Sequence, residues 1–230
     1  MTTFALVHGA WHGAWCFERL VAELQRRDHE ALAIDLPATD VTAGNVAYAG
    51  VIEAALPAGD DVVLVGHSLA GLSVPLVAAG RPLRLLVYLC ALIPEPGRSL
   101  VDRLRTGEPI FVDGFSDTVV RDDEGRSYWP DREAAIHDLY DDCPRGDAEA
   151  AFARLRPQAR LPSIEACPLD TLPAGPAAYL LAAGDHSIHP AWSRSAARER
   201  LGVQAIELPG GHSPFLSRPR ELADLLLGII

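Results

Sequence analysis

The sequence predicts an α/β fold in which a mostly parallel sheet of about six strands is covered by helices on both faces. Short apolar runs alternate with stretches of helical periodicity along most of the chain, which is the pattern of a buried parallel sheet. The chain has 230 residues, of which 49% are hydrophobic and 22% are charged, a typical globular composition. This length is enough for one domain with an insertion.

The predicted strands are short apolar runs. They span residues 4–7, 31–34, 62–65, 83–91, 177–183 and 203–208. Apolar residues with helical spacing predict helices between these strands. The predicted helices cover residues 15–27, 46–56, 192–201 and 215–227, and a further helix of small residues ends near residue 79.

Residues 95–170 differ from the rest of the chain in their composition of charged residues. They contain 17 acidic residues and 10 arginines, and so carry −7 of the net charge of −11. We therefore predict a core formed by residues 1–94 and 171–230 and a cap insertion, 95–170, above the carboxyl ends of the strands, where ligands of open α/β sheets bind. The acidity of the cap is expected to disfavour anionic substrates modestly. Its aromatic residues are candidates for lining a pocket: Phe111, Phe115, Tyr128, Trp129, Tyr140 and Phe152.

The charged residues exclude several classes of function. All 20 basic residues are arginines, which excludes chemistry that needs a lysine, such as a Schiff base or a P-loop. The net charge of −11 argues against a nucleic acid or an anionic membrane as partner. No apolar stretch reaches the length of a transmembrane helix.

The compartment is predicted from the first strand and from the cysteines. The strand at residues 4–7 leaves no room before it for a secretory signal peptide. The four cysteines lack the spacing of metal ligands or redox pairs, and are predicted to be free thiols. We therefore expect a cytoplasmic protein; the composition resembles that of GC-rich bacteria, and a homodimer is left open. The cysteines are Cys16, Cys90, Cys143 and Cys167.

The segment Gly66-His67-Ser68-Leu69-Ala70 follows the third predicted strand and precedes a helix of small residues. A tight strand-to-helix turn needs small residues two positions before and after its serine, and it exposes the serine hydroxyl at a helix N-terminus. The alternative is a serine that only caps a helix. The context favours a nucleophile elbow with Ser68 as nucleophile.

A serine nucleophile needs a base and an orienting carboxylate. Among eight histidines, His212 is the best candidate because it lies in a glycine loop just after the last strand. Asp185 follows the fifth strand, and Glu95 is the second choice of acid. The chain order Ser68, Asp185, His212 is that of a known triad arrangement.

Two backbone amides are predicted to stabilise the oxyanion of an acyl-transfer reaction. One is the amide of Leu69, directly after the nucleophile, and the other is that of Ala10, in the loop after the first strand. Trp11, His12 and Trp129 are predicted to contact substrate. We expect no metal and no cofactor, because the histidines show no ligand spacing with a further cluster of donors.

Several segments together resemble the α/β-hydrolase branch that contains plant methylesterases, salicylate-binding esterases and hydroxynitrile lyases. These are FALVHGAWHGAW (4–15), AIDLP (33–37), GHSLA (66–70), DHSIHP (185–190) and Gly211-His212. The resemblance implies a six-stranded α/β-hydrolase fold, a triad of Ser68, Asp185 and His212, and oxyanion donors at Ala10 and Leu69. The lyases of this branch carry a lysine after the catalytic histidine and a threonine in the first loop, where this chain has Ser213 and Gly9. The resemblance therefore favours an esterase.

The predicted function is hydrolysis of a carboxylic ester of a small hydrophobic or aromatic substrate through an acyl-serine intermediate. Two alternatives stay open. One is a ligand receptor on the same scaffold with slow turnover, and the other is a serine-dependent C–C or thioester hydrolase or a biosynthetic cyclase. Dehalogenase and epoxide hydrolase activities are disfavoured. Dehalogenases and epoxide hydrolases of this fold resemble the chain but have an aspartate as nucleophile, whereas residue 68 is a serine.

Overall fold

Six strands form one parallel sheet in the computed structural model, which describes residues 2–230. The strand order is β2-β1-β3-β4-β7-β8, and every neighbouring pair is parallel. The fold class predicted from the sequence is thereby confirmed. The strands are β1 (Thr3–Val7), β2 (Glu30–Ile34), β3 (Val62–His67), β4 (Leu85–Leu89), β7 (Ala177–Ala182) and β8 (Ile206–Leu208), and a separate antiparallel hairpin consists of β5 (Val120–Arg121) and β6 (Ser127–Tyr128).

Both faces of the sheet are buried, which explains why its strands are continuous apolar runs. Alternate residues of β4 contribute to two hydrophobic clusters: Leu86 and Tyr88 pack on one face, and Val87 and Leu89 on the other. A strand such as β4 thus contributes side chains to two hydrophobic cores, because successive side chains of a strand point to opposite faces of the sheet.

Helices cover the two faces, and two of the predicted helices are interrupted. Residues 14–25 start as a 3-10 turn, and the closing helix stops at Ser217 and restarts at Pro219. Pro219 lacks the N–H that a continuous helix would need and restricts the residue before it. The helices are α1 (Glu18–Gln25), α2 (Asn45–Ala55), α3 (Val74–Gly80), α4 (Leu100–Arg105), α5 (Arg132–Tyr140), α6 (Arg145–Phe152), α7 (Leu161–Ile164), α8 (Pro190–Ala196), α9 (Pro214–Ser217) and α10 (Pro219–Gly228).

The acidic segment, residues 95–170, contains the short helices α4 to α7 and the hairpin. Its backbone is bonded to loops that follow the strands: the amide of Arg156 donates to the Trp11 carbonyl at 2.8 Å, and the amide of Ala159 donates to the Ala38 carbonyl at 2.7 Å. Within residues 2–230, no helix has the length and apolarity needed to cross a bilayer.

Candidate active site

Ser68 lies on a sharp turn at the end of β3. Its φ of +53° is in the left-handed region, which is unfavourable for a residue with a Cβ and is typical of a strained functional turn. Small neighbours permit the turn: a Cβ on Gly66 would lie 2.7 Å from a methyl group of Val74, and one on Gly71 would lie 1.9 Å from the Leu92 carbonyl oxygen. Glycine is therefore required at positions 66 and 71, because neighbouring atoms approach the backbone closely there.

Three side chains from separate loops meet beside this turn. His212 Nε2 lies 3.0 Å from Ser68 Oγ, and His212 Nδ1 lies 2.9 Å from Asp185 Oδ2. His212 and Asp185 are almost fully buried, with 2% and 4% of their surface exposed. The Asp185 carboxylate also accepts hydrogen bonds from the amides of Ser187 and Ile188, which fix its orientation. A hydroxyl, an imidazole and a carboxylate thus form one hydrogen-bonded row.

The loop after β1 packs directly against the Ser68 turn. A Cβ on Gly9 would lie only 2.6 Å from Ser68 Cβ, so only glycine allows this approach. Ala10 and Leu69 line the same pocket as Ser68. The amide of Ala10 donates no hydrogen bond to a protein acceptor within residues 2–230, which leaves it free to bind an oxygen in the pocket.

His12 lies behind this loop rather than on the pocket wall. Its Nδ1–H donates to the Ala10 carbonyl at 2.8 Å, and its Nε2 accepts from the Tyr140 hydroxyl at 2.7 Å. The bond from Tyr140 requires a neutral ring, because Nε2 must be unprotonated to accept it, and burial lowers the pKa of His12 to about 3. His12, predicted to contact substrate, is not among the residues that line the pocket; it holds the loop that carries the Ala10 amide.

Arg156, which the sequence analysis did not single out, holds the same loop from the acidic segment. Its Nε donates to the His12 carbonyl at 2.8 Å, and its Nη2 donates to the Leu36 carbonyl at 2.9 Å. The guanidinium also forms a two-point ion pair with Asp35, at 3.0 and 2.8 Å. These partners are 120 or more residues away in sequence, so no local pattern could have revealed them.

A pocket of about 510 Å³ opens onto Ser68, within the usual size range of small-molecule sites. Trp11, predicted to contact substrate, lines this pocket, whereas Trp129 is not among the lining residues; the Trp129 ring packs edge-to-face against Trp11 with ring centroids 5.4 Å apart. Of the six aromatic residues in the acidic segment, two reach the pocket. The apolar lining consists of Ala10, Trp11, Leu69, Leu92, Leu100, Phe111, Phe115 and Ala159.

The charged side chains that line this pocket are both arginines, Arg121 and Arg160. No aspartate or glutamate is among its lining residues within the described part of the chain, 2–230. The local charge is therefore opposite in sign to the net charge of the chain. A second cavity of about 550 Å³ lies elsewhere, beside Tyr88 and Pro176, and includes none of the Ser68 group.

Comparisons with known proteins agree with this geometry. Residues 4–225 match the Alpha/beta hydrolase family. This chain belongs to that family. A relative from rice (Oryza sativa subsp. indica), named probable esterase PIR7A, is 31% identical over 98% of this chain and 95% of its own length. The carbendazim hydrolyzing esterase of Nocardioides sp. (strain SG-4G) is 30% identical, with each chain covered completely.

Solved structures give the same assignment. A pyrethroid hydrolase, PytH, is similar with a TM-score of 0.84 and 26% identity, covering 99% of this chain and 96% of PytH. Polyneuridine aldehyde esterase has a TM-score of 0.82 at 22% identity, covering 100% and 99% of the two chains, and so supports the fold alone. The predicted resemblance to the methylesterase branch is confirmed, and the named esterases among the relatives support a hydrolase activity.

Proposed function

We propose that this protein is a serine carboxylesterase that cleaves an ester of a small hydrophobic or aromatic substrate through an acyl-serine intermediate. The observation that carries the proposal is the row of hydrogen bonds from Ser68 Oγ through His212 to Asp185, at 3.0 and 2.9 Å. The row opens onto a pocket with a largely apolar lining. A hydroxyl next to a buried imidazole that is held by a carboxylate is suited to nucleophilic attack.

In this mechanism Ser68 Oγ attacks the ester carbonyl carbon while His212 Nε2 accepts the hydroxyl proton. Asp185 keeps the second proton of the ring on Nδ1. The carbonyl oxygen becomes an oxyanion and binds the amides of Ala10 and Leu69. His212 then gives its proton to the leaving alcohol, which departs as the carbon–oxygen bond of the ester breaks. Water, activated by His212, releases the acid and regenerates the serine.

The acidic segment is proposed to act as the cap of this site. It supplies Phe111 and Phe115 to the pocket, and it supplies Arg156, which holds the loop that carries Ala10. A cap built in this way would control which acyl or alcohol group fits above Ser68. The cytoplasmic location and the bacterial origin expected from the sequence stay part of this proposal.

The test compares covalent labelling by a fluorophosphonate with hydrolysis of 4-nitrophenyl acetate. The wild type is expected to be labelled and to turn over, whereas Ser68→Ala loses labelling and at least about a thousandfold of activity. Ser195→Ala is a matched control, because Ser195 lies on α8 outside the pocket lining. A single stoichiometric burst without turnover would favour a receptor. Unchanged activity in Ser68→Ala would overturn the proposal.

A further inference from the structure

The arginines of this protein are almost all neutralised by carboxylates, with a few exceptions that cluster. Seventeen of the twenty arginines form an ion pair with aspartate or glutamate. Within residues 2–230, the three without such a partner are Arg121, Arg160 and Arg220. Two of these three line the pocket above Ser68.

An unpaired arginine is unexpected in this chain, because 31 acidic residues compete for only 20 basic ones. Arg121 Nη1 donates to the Gly125 carbonyl at 2.9 Å, which positions it without neutralising its charge. The guanidinium of Arg160 makes no hydrogen bond to any protein atom of the described chain, 2–230. Both residues are exposed, so they lie where the pocket meets solvent.

A further polar residue of the pocket lining could also bind an anionic group. Ser163, one turn after Arg160, also lines the pocket, and no carboxylate there competes for the two guanidinium groups. A guanidinium binds a carboxylate through two parallel hydrogen bonds, which makes arginine the usual partner of a carboxylate ligand. Most of the other lining residues are aromatic or aliphatic.

We propose that the substrate is an ester that carries a free carboxylate, which Arg121 and Arg160 bind at the mouth of the pocket while the ester carbonyl lies at Ser68. This inference rests on the proposed esterase function and refines its substrate class. The preferred substrate is then a half-ester of a dicarboxylic acid, with an apolar spacer between the two carboxyl groups that contacts the apolar wall of the pocket.

The test measures kcat/KM for two 4-nitrophenyl esters with six-carbon acyl chains, the half-ester of adipic acid and the ester of hexanoic acid. The readout is the ratio of the two values, anionic over neutral. The double variant Arg121→Gln/Arg160→Gln is expected to lower this ratio by about tenfold, since each exposed charge pair contributes a few-fold. Salt at about 0.5 M is expected to lower the ratio of the wild type in the same direction.

Arg220→Gln is the matched control, because Arg220 is the third unpaired arginine and lies on α10, outside the pocket lining. Its ratio should equal that of the wild type. An equal ratio in the double variant and the wild type would overturn the proposal. Thermal unfolding followed by circular dichroism checks that the double variant folds.

A second measurement separates this proposal from the esterase function itself. Calorimetry with Ser68→Ala compares monomethyl adipate with dimethyl adipate, so no turnover is needed. Tighter binding of the anion, lost when both arginines are also replaced, supports the carboxylate site even if the wild type hydrolyses neither ester. Equal binding of the two compounds, together with hydrolysis of both esters at an unaltered ratio, refutes the site and leaves the esterase function standing.

Discussion

Lowering the pH from about 7.5 to about 5 is expected to destabilise this protein through two buried histidines, His12 and His67. Burial lowers the pKa of His12 to about 3 and that of His67 well below its ordinary value. The neutral ring of His12 uses both nitrogens, on Ala10 and Tyr140, and His67 Nε2 donates to the carbonyl of His212 at 3.0 Å. Protonation of His12 would therefore remove the acceptor for the Tyr140 hydroxyl, and protonation of His67 would place a proton on Nδ1, a buried atom without a hydrogen-bond partner within residues 2–230.

The sign and the size of the effect follow from linkage. In the unfolded chain a histidine has a pKa of about 6.5, so below that pH the unfolded state binds more protons than the folded state. The stability that each neutral histidine contributes is complete above pH ~6.5 and is lost as the pH falls toward the folded pKa. A histidine that stays neutral in the folded state lowers the free energy of unfolding by about 1.4 kcal/mol per pH unit, hence by about 2 kcal/mol at pH ~5 for His12, and His67 adds to this loss in the same direction. This is a large part of the ~5–15 kcal/mol of a typical domain.

Urea unfolding followed by tryptophan fluorescence between about pH 8 and pH 5 measures this dependence. Below pH ~6 His12 should lower the free energy of unfolding by about 1.4 kcal/mol per pH unit, and His67 should make the slope steeper. His12→Asn, which can keep the bond to Ala10, should reduce the slope by the His12 contribution of about 1.4 kcal/mol per unit. His137→Asn serves as control, since the side chain of His137 is 67% exposed. A slope in His12→Asn equal to that of the wild type would refute the reasoning.

Three further predictions concern the loops around Ser68. Gly71→Ala should lower the free energy of unfolding by about 1–3 kcal/mol, whereas Gly50→Ala, on α2 with open space around it, should be neutral or stabilising; the opposite order in urea unfolding would contradict this. Gly9→Ala should lower kcat for a 4-nitrophenyl ester at least about tenfold by displacing Ser68, and a wild-type kcat would contradict the close packing. Arg156→Gln should lower kcat about tenfold with little change in KM, and a change confined to KM would argue against a role in holding the oxyanion loop.

The sequence predicted the sheet and the Ser68 group because both depend on short-range patterns. Buried parallel strands are continuous apolar runs, and each candidate residue directly follows such a run. Parallel strands end at one edge of the sheet, so residues that are 27 and 144 positions apart could be expected to meet. The break in the closing helix before Pro219 also follows from a local rule, because proline lacks an N–H and restricts the residue before it. The predicted helix over residues 215–227 did not include this break.

The contacts of the acidic segment could not be predicted in the same way. Its helices are short, and their partners lie far away in sequence, as with Arg156 and Asp35, 121 positions apart. The sequence predicts substrate contacts for His12 from its place in the loop after the first strand and for Trp129 as an aromatic residue of the acidic segment, whereas the positions of both side chains depend on packing against Tyr140 and Trp11. Tertiary packing decides which side of a loop faces a pocket.

The net charge of the chain also failed to predict the charge of the residues that line the pocket, and this difference affects which substrates can bind. The net charge of −11, with −7 in the acidic segment, suggested a site that disfavours anions. Electrostatic attraction between exposed groups is largely screened beyond about 8–10 Å at physiological salt, so a ligand in the pocket responds more to the residues that line it than to carboxylates farther away. That lining carries Arg121 and Arg160 and no acidic residue within 2–230. The carboxylates elsewhere mostly neutralise other arginines, which leaves these two as the charges that a substrate meets first.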